Sequence, residues 1–255
     1  MLLNMEVRNF RTFLGNVIKA HDAIQGPKPT LPRVSTMTVM GGRDGITTPL
    51  TTFKEKFVDG TDGWNMGTNH FNNSLTLSKD VGESKKRSVK LFPNGKIHVT
   101  GSSTPMEGLK IISDIQVIVD EVFPETTQRP VSPMETQMIN ATFRLPHGID
   151  QMALLELYKK YKRFVKNSSY SPETYSAVKA NMFNMTVSVF KTGSIVMSGA
   201  KNFKDIAMVY RFLIRILYDE QVKGDFIEIK EKNDRLIHQR ETFHQRIRDF
   251  YLMNK

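Results

Sequence analysis

Apolar and polar residues alternate along Ser88-Val89-Lys90-Leu91-Phe92, break at Pro93-Asn94-Gly95, and alternate again from Lys96-Ile97-His98-Val99-Thr100 to Gly101. A period of two around an Asn-Gly turn predicts a β-hairpin, because both turn residues tolerate positive φ. The pattern returns 98 residues later as Thr186-Val187-Ser188-Val189-Phe190-Lys191-Thr192-Gly193-Ser194-Ile195-Val196-Met197-Ser198-Gly199. Val89/Val187, Phe92/Phe190, Gly95/Gly193, Ile97/Ile195 and Gly101/Gly199 are identical, while Ser88/Thr186 and Thr100/Ser198 exchange one hydroxyl for another. The chain therefore reads as an internal duplication.

Beyond each hairpin the period changes to that of a helix. Thr104-Pro105-Met106-Glu107 supplies an N-cap hydroxyl, a proline at the first helical position and a glutamate placed to close a capping box. Leu109, Ile112, Ile115, Val119 and Val122 predict its apolar stripe; after Asn202 the second copy offers Ile206, Tyr210, Leu213 and Leu217. Upstream, extended segments at 34–40 and 139–145 each lead into a short helix, begun by Thr48-Pro49 in one copy and by Asp150 in the other, with Leu154, Tyr158 and Tyr161 on one face. Extended stretches at 71–78 and 175–183 precede the hairpins. Each unit thus reads strand, helix, several antiparallel strands, long helix, and its sheet has one face under helices and one face bare, which asks for a partner or for solvent.

On these residues the chain resembles the TATA-box-binding protein (TBP) family over about residues 33–218. There a strand ends in phenylalanine, followed by a small loop, Gly-Lys, two apolar residues and Thr-Gly. Phe92 to Gly101 is similar to that pattern throughout, and Phe190 to Gly199 with serine for lysine and for threonine. The resemblance implies an α+β fold: two pseudo-symmetric repeats forming a curved antiparallel β saddle with helices on the convex face, here with helical N- and C-terminal extensions. It also implies minor-groove binding through the concave face, where aromatic wedges partly unstack base steps and bend the duplex, as is known of that family. By position the wedges are Phe71, Phe92, Tyr175 and Phe190, and the groove-floor residues are Val34, Lys90, His98, Thr100, Asn140, Ser188, Val196 and Ser198.

Two departures stand out. Lys90 and His98 occupy floor positions where the family is apolar, and they either reach an acceptor in a narrow A·T groove or weaken the apolar contact. At the start of the first repeat, where the family carries a groove-reading asparagine, this chain has Pro32; the second-repeat match is Met138 or, with a shifted alignment, Asn140. A glycine-rich loop from Asp59 to Gly67 is enlarged as well.

Charge is consistent with an acidic polymer as partner. The net charge is +10; residues 219–255 balance eight basic against eight acidic side chains and residues 1–30 hold four and two, so +8 falls on the duplicated core. Lys85, Lys86, Arg87, Lys96, Lys179 and Lys191, near strand ends, are the candidate phosphate contacts. The chain divides into a helical arm with a Pro-rich linker (1–32), repeat one (33–130), repeat two (131–218) and a charged helical extension (219–255). Zero cysteines exclude disulfides and thiolate metal sites, and no apolar run reaches membrane-spanning length, so an intracellular location, nuclear or in a viral factory or virion, is expected.

Catalysis is not expected. Ser198-Gly-Ala-Lys201 and Lys191-Thr192-Gly193 match motifs of penicillin-binding hydrolases, but in the wrong order and inside a duplicated hairpin. His21, His70, His98, His147, His238 and His244 have no metal-ligand spacing, and neither metal nor cofactor is expected. The resemblance implies a general transcription initiation factor that works on A·T-rich promoter DNA with other initiation factors and RNA polymerase. Its alternatives are a scaffold that keeps the fold without specific DNA binding, and the substrate-recognition domain of a nucleic-acid enzyme.

Overall fold

Both expected hairpins form. In the computed structural model, which describes residues 12, 15–67, 73–82, 85–218 and 223–226, they are β4 (Lys86–Leu91) with β5 (Lys96–Ser102) and β10 (Met185–Phe190) with β11 (Ser194–Ala200). Their turns differ from the expected two-residue type. In the turns, only the glycines have positive φ, +74° at both Gly95 and Gly193, and each donates its N–H to the carbonyl of Phe92 or Phe190 at 3.0 Å. Proline at 93 holds the preceding turn right-handed, and the Asn94 side chain instead accepts from the Lys96 N–H at 3.2 Å. A pair with positive φ occurs where none was expected, at Phe183 (+49°) and Asn184 (+63°), joining β9 (Tyr175–Met182) to β10.

Gly193 also meets its neighbours at close quarters, since a Cβ there would lie 2.3 Å from the His147 carbonyl oxygen, whereas one at Gly199 (φ +87°) would meet nothing within 4 Å. Gly199→Ala should therefore cost about 1 kcal/mol, the left-handed backbone alone, and Gly193→Ala about 3 kcal/mol or more. Urea unfolding of the two variants measures the difference, and equal losses would refute this account.

The remaining strands complete a ten-stranded antiparallel sheet: β1 (Arg33–Gly42), β2 (Trp64–Met66), β3 (Leu75–Asp80), β6 (Glu135–Arg144) and β8 (Val165–Ser171) join the four hairpin strands and β9 in the order β2-β3-β4-β5-β1-β6-β11-β10-β9-β8. The order is symmetric about β1 and β6, and so is the register. β5 meets β1 as Val99↔Val39 and His98↔Met40, while β11 meets β6 as Met197↔Ala141 and Val196↔Thr142. Hairpins 98 residues apart thus go with central strands 102 apart, and the centre obeys the same operation by exchanging Thr36↔Asn140 with Thr38↔Met138. The first-repeat counterpart of Asn140 is therefore Thr38. Pro32, the expected counterpart, is buried ahead of the strand.

The helices, α1 (Leu50–Lys56), α2 (Pro105–Val122), α3 (Gln151–Lys160) and α4 (Phe203–Leu217), cover one face. Thr104 caps α2 by accepting from the Glu107 N–H at 3.1 Å, but Glu107 returns its carboxylate to the N–H of Ser103 at 2.7 Å rather than to the cap residue. Asp150 and Asn202 cap α3 and α4 as expected. On α4 all four expected residues are buried. On α2 the stripe is rotated: Gly108, Ile111, Ile112, Ile115 and Val119 are buried, Leu109 and Val122 half-buried. At Gly108 a Cβ would stand 2.2 Å from Val39, so the helix lies against the sheet there with no room for a side chain.

Several elements escaped the sequence pattern. β2 and β8, the sheet's edges, are among them; β2 occupies part of the enlarged loop, anchored by the buried Trp64. A short strand β7 (His147–Ile149) pairs with β12 (Lys223–Phe226), so the described part of the C-terminal extension is a strand. The helix expected beyond it lies outside the described residues, as does most of the arm's start. Residues 15–22 are helical, bury Val17, and set His21 Nδ1 3.1 Å from the Tyr210 hydroxyl, so this part of the arm packs on α4.

Candidate nucleic-acid interface

Strand alternation assigns the face that no helix covers among the described residues. Leu75, Leu77, Val89, Leu91, Ile97, Val99, Met37 and Val39 are buried under the helices, so Thr76, Lys90, His98 and Met40 form one row across the opposite face and Ser78, Ser88, Thr100 and Thr38 the next. In the second half the matching rows are Lys179-Ser188-Val196-Thr142 and Asn181-Thr186-Ser198, the latter reaching Asn140. Asn140 accepts from the Gly199 N–H at 3.1 Å and donates to the Thr36 hydroxyl at 3.4 Å. Thr38 stands 3.4 Å from the Thr100 hydroxyl. A band of hydroxyls and two amides, Asn140 and Asn181, thus crosses the pseudo-dyad.

Of the expected floor residues, Lys90, His98, Thr100, Asn140, Ser188, Val196 and Ser198 lie on this face. Val34 does not. A bulge between Val34 and Thr36 pairs it with the buried Ala141 and packs it against the helix-covered core.

Phe92 and Phe190 sit at corresponding strand ends, half-buried and outside the main core cluster. The Phe190 ring lies 5.7 Å, edge to face, from that of Tyr175, and the Lys179 ammonium caps the Tyr175 ring at 3.9 Å. Ala177, opposite Phe190, and Ser188 are buried on this otherwise open face, so the second half carries a small aromatic-lidded patch. In the first half the partner of Phe92 is His98, 4.7 Å away. Phe71 lies outside the described residues.

The cations divide. Arg87 shares the covered side with Val89 and Leu91, where its Nε donates to Glu107 at 2.6 Å, so it clamps the hairpin to α2 and is withdrawn as a phosphate contact. Lys96 is committed to Asp44 and the Ser132 hydroxyl, and its hydrogen bond and charge, with Ser132, hold the Asp44 carboxyl below its usual range. Lys85, Lys86, Lys179 and Lys191 are exposed on or beside the open face. Two further cations were missed in the sequence: Arg33, opposite Thr142, and Lys166, opposite Asn181. Their signal was strand pairing, which a single chain's periodicity does not reveal. Glu135 opposite Met40 and Asp80 opposite Lys86 bring negative charge to the same face. Among the described residues no three His, Asp or Glu side chains gather as a metal site.

Residues 134–220, from the start of β6 to just past α4, match the sequence model of the family described as transcription factor TFIID (or TATA-binding protein, TBP). The chain is 23% identical over 190 residues to the "TATA-box-binding protein-like" protein of Acanthamoeba polyphaga mimivirus, covering 61% of this chain and 51% of that one. It is 24% identical over 178 residues to "TATA box-binding protein-like 1" of Caenorhabditis elegans, covering 66% and 34% respectively. It therefore spans about half the length of the first relative and about a third of the second. Among solved structures, Methanococcus jannaschii TBP aligns with a TM-score of 0.48 and 19% identity over 73% of this chain and 95% of that one. The family's sequence signature thus falls on the second repeat, residues 134–220, and a second copy of the same strand order precedes it, so the chain is similar to the TATA-box-binding protein family as a divergent relative.

Proposed function

We propose that this protein is a transcription initiation factor that binds A·T-rich promoter DNA in the minor groove through its uncovered sheet face and bends it. The observation that carries the reading is the duplicated open face, with Phe92 and Phe190 half-exposed at equivalent strand ends around a floor of small hydroxyls. A·T and T·A present nearly the same acceptors in the minor groove, so a floor of short donors and apolar groups discriminates A·T from G·C by contact and shape. Lys86, Lys179, Lys191, Arg33 and Lys166 supply phosphate contacts around that floor. The helix-covered side and the arms are left for other initiation factors and RNA polymerase, and the role is non-enzymatic.

Fluorescence anisotropy on A·T-rich and G·C-rich duplexes at one salt concentration tests this. The A·T-rich duplex should bind at least about tenfold tighter, a difference of about 1.4 kcal/mol. Equal affinities would reduce the face to a basic surface. Absence of binding to either would favour the scaffold, a reading kept open by Lys90, His98 and Glu135 on the floor.

A further inference from the structure

His98 has an environment that no residue of the second half shares. Its register equivalent there is Val196, and that of Lys90 is Ser188. The imidazole stacks on Phe92 at 4.7 Å, and its Nε2 lies 2.9 Å from the Met40 sulfur, a weak acceptor. The charged groups facing it are Lys90 on β4, directly opposite; Glu135 on β6, beyond Met40; and, on its own strand, Lys96, whose charge is engaged by Asp44. Burial first, and then the Lys90 charge, lower the imidazole's pKa below its ordinary value. In the free protein His98 is therefore neutral at pH 7, on a face that the proposed ligand would line with anions and acceptors.

We propose that His98 is a proton-linked contact of the DNA interface: neutral in the free protein, it takes up a proton when duplex DNA covers the face and donates to an acceptor of the minor groove. This rests on the DNA-binding reading. The sign follows from linkage. Covering the ring with a polyanion raises its pKa, so between the depressed value of the free protein and the raised value of the complex, binding consumes a proton and tightens as pH falls. Below the free value the ring is charged in both states and the dependence ends. The limiting slope is one proton, about tenfold in Kd per pH unit.

Anisotropy titrations of a labelled A·T-rich duplex at pH 6, 7 and 8 and constant salt test the proposal with the wild type, His98→Val and His98→Gln. The valine is the residue the second half already carries at this register. The glutamine keeps a donor without a titrating proton, and so serves if the valine variant fails to fold. Wild-type Kd should tighten at least about fivefold from pH 8 to pH 6, and both variants should bind without that slope. NMR titration of the His98 ring should give a higher pKa in the complex than in the free protein. The same slope in the variants, or an unshifted ring, would overturn the assignment, as would tight wild-type binding that ignores pH, while the DNA-binding reading stands. If the duplex binds at no pH, the DNA-binding reading itself falls and takes this one with it.

Discussion

Replacing Phe92 and Phe190 together by alanine is expected to weaken binding to an A·T-rich duplex by at least about a hundredfold while leaving the salt dependence of binding nearly unchanged. Each ring moved from water into a base step is worth about 1.5–3 kcal/mol, and two of them therefore about 3–6 kcal/mol, with 1.4 kcal/mol per factor of ten. The salt slope persists because it counts phosphate contacts, which come from lysines and arginine rather than from the rings. Stability should change little, since both rings stand outside the helix-covered core, Phe92 set against His98 and Phe190 against Tyr175. End-to-end energy transfer on a doubly labelled duplex should show the bend relaxing in the same variant. Undiminished affinity in a folded double variant would mean that these rings are ordinary surface aromatics and that the open face holds DNA by charge alone.

The sequence revealed most where a periodicity ended in a residue with a backbone role. Gly95 and Gly193 close the two hairpins at the same φ, and Thr104, Asp150 and Asn202 each cap the helix expected after them. What it hid depends on strand pairing. Val34 alternates correctly within its own strand, yet the bulge beside it turns the side chain to the covered face. Arg87 stands next to two lysines in the chain but shares its side of the sheet with Val89, and the glutamate of α2 claims it. Thr38 became the counterpart of Asn140 only when the registers of β1 and β6 fixed the pseudo-dyad, which the 98-residue spacing of the hairpins does not by itself locate. Of the edge strands, β2 has only three residues, and β8, though seven long, is broken by two register shifts, so neither carries a long alternation to read.

Asp120 should prove the most costly polar residue to remove from the first repeat. Its carboxylate receives the Arg43 guanidinium as a fork, Nε at 3.1 Å and Nη2 at 2.6 Å, together with the Gln116 amide at 2.8 Å and the Thr126 hydroxyl at 2.6 Å. Arg43 also donates to the carbonyl of Arg129 at 2.7 Å. The end of β1, helix α2 and the short helical link Pro124–Gln128 toward the second repeat are thus fastened at one point. The two side chains are only 13% and 19% exposed, so Asp120→Ala strands a nearly dry guanidinium and should cost about 3 kcal/mol, while Asp120→Asn, which keeps acceptors for Gln116 and Thr126, should cost about half that. Burial raises the Asp120 pKa, but hydrogen bonds from Arg43, Thr126 and Gln116 and the Arg43 charge outweigh it and leave the net value lowered. A depressed carboxyl contributes stability above its unfolded pKa and loses it as pH falls through the folded one, so the gap between wild type and Asp120→Asn should narrow below about pH 4. Urea unfolding at pH 7 and pH 3 reads both effects; a loss under about 1 kcal/mol for Asp120→Ala, or a gap that does not shrink in acid, would show that this junction is held by packing instead. The second repeat has no such ion pair at the corresponding positions: the 102- and 98-residue offsets put Leu145 in the place of Arg43 and Tyr218 in that of Asp120, Leu145 is buried, and Tyr218 sets its ring edge-on to His147 at 5.2 Å and donates its hydroxyl to the Pro27 carbonyl at 2.9 Å.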